Sequence, residues 1–366
     1  MNKTTAWPLA LAYVALVVFA SLFPFEGWRE QGISPWVFLT AHMPPPYWTK
    51  FDVGINVVGY MPLGFLLALA LLRTGWPRMA VPFVVLCAAL AAALLSLCME
   101  FLQIYLPQRV SSNMDLALNA AGALAGALAA ALLERLGAIA RWSRLRERWF
   151  VPDARGALVL LALWPPALLF PAAIPFGLGQ VVERLEAAVA DLFEGTPFFD
   201  WLPPEMPLAP LSPGGEVLCV LLGLWIPCLL GYCVIRHMGR RAVFAAATVA
   251  VGVAVSALSS ALTWGPAHAW EWAQLPVQVG LGAGVLAAAA VLALPRRACA
   301  AVLLLALALH LALLNQAPAD AYFEQTLQTW EQGRFLRFYG LAQWLGWLWP
   351  YAVLCYVLVR VSRRDA

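Results

Sequence analysis

Between Asp52 and Gly126 the chain places three carboxylates, one guanidinium and several carboxamides at the ends of apolar runs. Asp52 and Asn56 open one run, Glu100 and Gln103 close the next, and Asp115 and Asn119 open a third, with Arg109 in the short connection before it. On a helix, residues three or four apart share a face, so each run presents a carboxylate beside a carboxamide. A charged side chain deep in a bilayer costs roughly 2.5 to 3.5 kcal/mol on insertion scales, so such groups are expected at a protein-lined or wet site. All seven are expected to meet at one membrane face. The planar fork of Arg109 suits bidentate contact with a carboxylate or phosphate. Two or three carboxylates also suit a hard divalent cation, which often bridges to phosphate, so a divalent cation is a candidate cofactor. The competing account is structural: Arg109 pairs with Glu100 or Asp115, and the carboxamides only tie helix ends together.

The elements that must hold these residues follow from composition. Hydrophobic residues make up 63% of the 366, charged residues 12%, and the mean hydropathy is +0.77. A soluble domain carries about a quarter charged residues, so this is an all-α, polytopic transmembrane helix bundle. At about 20 apolar residues per crossing, ten runs qualify, near 7–23, 52–73, 79–99, 114–133, 157–174, 215–235, 242–262, 276–294, 298–314 and 340–359. With the N-terminus inside, all but six of the 23 Lys and Arg fall on the inner side, the exceptions being Arg29, Lys50, Arg109, Arg184, Arg334 and Arg337. Positive loops stay cytoplasmic, so both termini are expected there and the polar constellation on the outer side. The first run is expected to be retained, because Val18-Phe19-Ala20 is a poor cleavage site. The net charge of +3 is explained by the inner loops and does not argue for nucleic acid. The seven cysteines form no CxxC pair, which suggests neither a disulfide framework nor a zinc site.

Three long outer segments, 24–51, 175–214 and 315–339, interrupt the helices. Apolar stripes in the second and third, such as Val182, Leu185 and Val189, suit amphipathic helices lying on the outer face. Gly122 and Gly126 continue the stripe of Asp115 and Asn119, and their spacing lets a neighbouring helix approach closely. Gly59 and Gly64 are candidates for the same packing on the second run, where Pro62 should kink the helix. A loose internal echo sets Asp52 with Gly59 and Pro62 against Glu216 with Gly223 and Pro227, after the turns Phe23-Pro24-Phe25 and Ile174-Pro175-Phe176. Such duplication is common in membrane folds, and here it would leave Glu216, His268, Glu271 and Gln278 as the polar remnant. His310 and Gln278 read most simply as polar groups satisfied inside a bundle.

The block Asp52-Val-Gly-Ile-Asn56 through Pro62-Leu-Gly64, then Glu100-Phe-Leu-Gln103 with Leu106-Pro107-Gln108-Arg109, then Asp115-Leu-Ala-Leu-Asn119 with Gly122 and Gly126, resembles the VanZ-like family. The resemblance covers residues 1–133, with signature residues Asp52, Asn56, Glu100, Gln103, Arg109, Asp115 and Asn119. It implies a multi-pass protein of the bacterial inner membrane, with a link to low-level teicoplanin resistance and no settled molecular activity. The organisation then reads as a four-helix domain over 1–133, a basic cytoplasmic loop over 134–156, a candidate degenerate repeat over 157–297, and two further helices with an outer amphipathic segment over 298–366. The favoured function is binding or shielding of an anionic lipid-linked molecule or peptidoglycan precursor at the outer leaflet, with membrane lipids as partners. The alternative is a metal-assisted hydrolase or transferase acting on a lipid-linked phosphate, with Glu100 or Asp115 as general base and Arg109 stabilising charge. Transport ranks last, because the polar residues crowd one side.

Overall fold

A computed structural model describes residues 6–23, 25–34, 36–44, 50–74, 80–107, 109–170, 172–197, 199, 210–318 and 336–362. Twelve α-helices occupy them: α1 (Ala6–Leu22), α2 (Lys50–Arg73), α3 (Val81–Gln103), α4 (Asn113–Arg135), α5 (Ala138–Trp149), α6 (Arg155–Ala167), α7 (Val182–Phe193), α8 (Pro213–Tyr232), α9 (Met238–Trp264), α10 (Leu275–Ala290), α11 (Arg296–Leu314) and α12 (Leu336–Ser362). No strand is present among the described residues, only the isolated bridge between Phe150 and Ile235. Seven helices, α2, α3, α4, α8, α9, α11 and α12, are long and apolar enough to cross a membrane. The apolar helices α1, α6 and α10 lie where crossings were expected but are shorter. Pro165 and Pro166 lie in the last turn of α6, where missing N–H groups end the ladder early.

The chain divides into two compact units, 1–146 and 147–366. In the first, α2 and α4 run parallel and touch backbone to backbone. A Cβ at Gly122 would overlap the carbonyl of Val57, one at Gly126 that of Met61, and one at Gly64 that of Ala123. Only glycine lets two helices approach so closely, and in lipid such contact replaces the hydrophobic effect as the source of association. The buried side of α4 continues through Ala123, Ala127, Ala130 and Ala131, while Leu124, Leu128 and Leu132 stay exposed on the other side. A Cβ at Gly59 would meet open space, so the expected packing role does not hold there. Instead the Gly59 carbonyl accepts the Tyr13 hydroxyl at 2.7 Å, beside the kink-prone site where Pro62 lies inside α2. At the opposite end of the pair, Arg73 meets Glu134 at 3.5 Å. With both side chains about a third exposed, that pair contributes at most about 1 kcal/mol.

The second unit is built around α8, whose last turns from Leu222 to Tyr232 are buried except Trp225. Arg241 on α9 is 5% exposed and donates to the carbonyls of Tyr232, Ile235, Leu292 and Leu294. It thereby caps the C-terminal ends of α8 and α10, where helix dipoles favour a cation. His310 is held between the Leu178 carbonyl, 3.2 Å from Nε2, and the Cys219 sulfur, 3.8 Å from Nδ1. Asn315 accepts the N–H groups of Val181 and Val182 at the start of α7. The α7 helix lies in the segment expected to carry an amphipathic helix, with Leu185 and Leu192 exposed. The corresponding stripe expected over 315–339 falls mostly outside the described residues. The basic segment read as a loop over 134–156 holds α5 instead, because its arginines alternate with Ile139, Trp142 and Leu145 at helical spacing.

Gly122→Leu or Gly126→Leu is expected to abolish monodisperse protein in detergent, whereas Gly59→Ala is expected to preserve yield and shift the unfolding midpoint little, since Ala gains about 0.5 to 1 kcal/mol over Gly in a helix. Size-exclusion profiles with a thermal scan decide this, and equal damage at Gly59 would contradict the packing described.

Candidate functional site

The N-terminal ends of α2 and α4 and the C-terminal ends of α1 and α3 meet in the first unit. The parallel α2–α4 contact sets Asn56 against Asp115, and the Asn56 Nδ2 donates to Asp115 Oδ1 at 2.8 Å. Asp115 sits in the first turn of α4, where a carboxylate complements the helix dipole. Its backbone N–H donates to Ser112 Oγ at 3.3 Å, which makes Ser112 the N-cap. The Ser112 N–H in turn donates to Glu100 Oε2 at 2.8 Å, and the Ser111 hydroxyl donates to the Glu100 carbonyl at 2.6 Å. A continuous chain of hydrogen bonds therefore runs from Asn56 through Asp115 and Ser112 to Glu100, tying α2, α4 and α3 together. Glu100 is only 4% exposed, a position a carboxylate tolerates when backbone N–H groups solvate it.

Gln103 and Arg109 both reach the end of α1. Gln103 Nε2 donates to the Ser21 carbonyl at 2.9 Å. The Arg109 guanidinium donates to the carbonyls of Ala20 and Phe23. Both side chains thus satisfy carbonyls that the last turn of α1 leaves without intrahelical donors. Arg109 remains half-buried, three residues before Ser112 in the same connection. Asp52 lies one turn before Asn56 on the same face of α2, half-buried in the first turn.

Deeper in the unit, Asn119 Nδ2 donates to Ser96 Oγ at 2.9 Å. Its Oδ1 is buried without a hydrogen-bond partner among the described residues, an acceptor of the kind that natively finds a donor. Tyr60, 7% exposed, lies near Ser96 and Glu100. The segment before α2 closes over this end: Gln31 Nε2 donates to the Ile104 carbonyl at 2.6 Å, Asn113 Nδ2 to the Ala41 carbonyl at 2.6 Å, and the Trp36 ring packs 5.3 Å from Phe101.

Among the described residues no three His, Cys, Asp or Glu side chains gather so as to hold a metal ion. Glu100 accepts a backbone N–H and Asp115 a carboxamide N–H. Sequence reasoning missed Ser96, Ser111, Ser112 and Tyr60. Ser112-Asn113-Met114-Asp115 carries the spacing of a helix N-cap with its acidic partner, which would have located Ser112. Ser96 lies four residues before Glu100 and shares its face, the signal that an apolar context hid.

Crossing helices with polar groups gathered at one end define a multi-pass helical membrane protein. Residues 6–134, from α1 to the last turn of α4, match the VanZ/LLP1 family. No curated protein and no solved structure matches the chain.

Ser112→Ala is expected to lower stability by about 1 kcal/mol, the usual worth of an N-cap hydroxyl. Chemical denaturation of the purified protein measures it, and an unchanged midpoint would show that the cap carries no weight.

Proposed function

We propose that the VanZ-type unit binds the headgroup of a lipid-linked phosphate or cell-wall precursor at the outer leaflet of a bacterial inner membrane. The observation that carries this reading is that a guanidinium and several acceptors lie in the same end of the unit, around the connection between α3 and α4. Arg109, on the same short connection as Ser112, offers a planar donor fork suited to phosphate. Asp115, Glu100 and the unpartnered Oδ1 of Asn119 are acceptors suited to hydroxyl or amide N–H groups. A phosphate carrying sugar and peptide groups presents both complements. The segment closed over this end by Gln31 and Asn113 suits a site that shields its ligand.

Binding is supported better than group transfer. Ser96 is engaged with Asn119, Ser111 with the Glu100 carbonyl and Ser112 with the α4 terminus, so no serine stands beside a free base. The metal-assisted alternative lacks a three-ligand set among the described residues.

Mass spectrometry of lipids that co-purify with the full-length protein tests this. Wild type is expected to retain a phosphate-bearing lipid, and Arg109→Lys, which keeps the charge but not the fork, to retain about tenfold less, on the scale of one lost charge-assisted hydrogen bond. Equal retention by a variant that elutes as wild type would assign Arg109 to α1 alone and overturn the reading.

A further inference from the structure

We infer that the second unit carries its own binding site, a cavity placed as the polar cluster is placed in the first unit, that takes the ammonium headgroup of an amphiphile. The correspondence rests on backbone features rather than on the function proposed above. Phe25 and Phe176 are the only non-glycine residues of positive φ among the described residues, at 67° and 64°. Each follows a proline in a turn after the first apolar helix of its unit, α1 or α6. The helices that come next also share a contact. In α4, Gly122 and Gly126 rest on Val57 and Met61 of α2; in α10, Gly280 and Gly284 rest on Val217 and Leu221 of α8. Both pairs step by four residues along parallel helices, so α8 and α10 repeat the arrangement of α2 and α4.

This register pairs Glu216 with Asn56, one turn further along than the sequence echo that sets Glu216 against Asp52. Val277 stands where Asn119 stands, three residues before the first glycine. The C-terminal end of α9, with Ser259 and Ser260, takes the place of the α3 end that holds Ser96 and Glu100.

At this end of α8 and α10 lies a cavity of about 690 Å³. Among the described residues its lining includes Glu216 and Glu271 but no Lys or Arg. Ser259 and Ser260 are spent on the carbonyls of Leu169 and His268. Glu271 meets His268 at 2.6 Å, whereas the half-buried Glu216 carboxylate has no hydrogen-bond or ion partner among the described residues. Aromatic rings share the lining: Phe176 lies 6.1 Å from Trp272, and Trp264 joins them. Leu168, Ile174 and Leu178 add apolar surface to it. A carboxylate and aromatic rings lining one cavity suit a cation with a greasy surface, as a quaternary ammonium group has. The first unit's cluster has Arg109 and so favours the opposite charge; the duplicated scaffold has diverged in the sign it reads.

Saturable binding of radiolabelled tetradecyltrimethylammonium to the full-length protein in maltoside micelles tests this, with protein-free micelles as background. Wild type is expected to bind one equivalent. Glu216→Gln and Trp272→Leu should each weaken binding about tenfold, as for one lost charge or cation–π contact in a desolvated site, and Asp153→Asn, at an exposed carboxylate outside the cavity lining, should leave it unchanged. If Glu216→Gln fails to elute as wild type, Glu271→Gln, altering an exposed side chain outside any helix, takes its place with the same expectation. Wild-type binding by the folded cavity variants, loss through Asp153→Asn, or equal displacement by tetradecyl maltoside, whose headgroup is an uncharged sugar, would each overturn the inference.

Discussion

The contact on which the first unit depends is the approach of α4 to α2 through Gly64, Gly122 and Gly126. Three missing side chains let main chains touch, and that touch fixes the vertical register of the two helices. Register is what sets Asn56 beside Asp115, because a slip of one residue along either helix would turn one of them away by about 100°. Packing and recognition are therefore one property here: the glycines hold no ligand, yet they position every polar group at that end.

Around that contact the ionisable groups are arranged so that none is left to a dry interior alone. The acidic side chains sit where N–H groups are unspent, Asp115 in the first turn of α4 and Glu100 against the backbone of Ser112. The guanidinium of Arg109 and the amide of Gln103 sit where carbonyls are unspent, at the end of α1. Helix termini thus supply the partners that water would supply in a soluble protein. The Asn119 oxygen departs from this pattern, and a polar ligand or a water would complete it. In the second unit, Arg241 shows the same logic without a carboxylate, holding the carbonyl ends of two helices.

Much of this was legible from the residues. The periodicity of acids and amides announced which faces would converge, and Gly122 and Gly126 announced the close approach. What could not be read was which partner each group would choose. Gln103 and Arg109 turn to α1 because carbonyls at its end need donors, a demand set by tertiary proximity and invisible in the local pattern. Gly59 resembles its neighbours Gly64 and Gly122 in sequence, but only the crossing geometry tells which glycine faces the partner helix. Of the carboxylates that suggested a cation site, Glu100 lies next to a backbone donor and Asp115 next to an amide donor. The arginine-rich stretch after α4 looked like a loop by charge alone, while its interleaved Ile139, Trp142 and Leu145 give α5 an amphipathic face.

The hydrogen-bond chain from Asn56 to Glu100 crosses three helices that leave the translocation machinery one after another. When α2 and α3 have been synthesised, Asn56 and Glu100 exist but Asp115 and Ser112 do not, so both must wait at the protein-conducting channel or in the interfacial water. Stable partitioning of the earlier pair into lipid is then coupled to the arrival of α4. Biogenesis of this unit is cooperative by construction, and a truncation before residue 111 would remove the Ser112 donor that Glu100 accepts and the Asp115 acceptor that Asn56 uses.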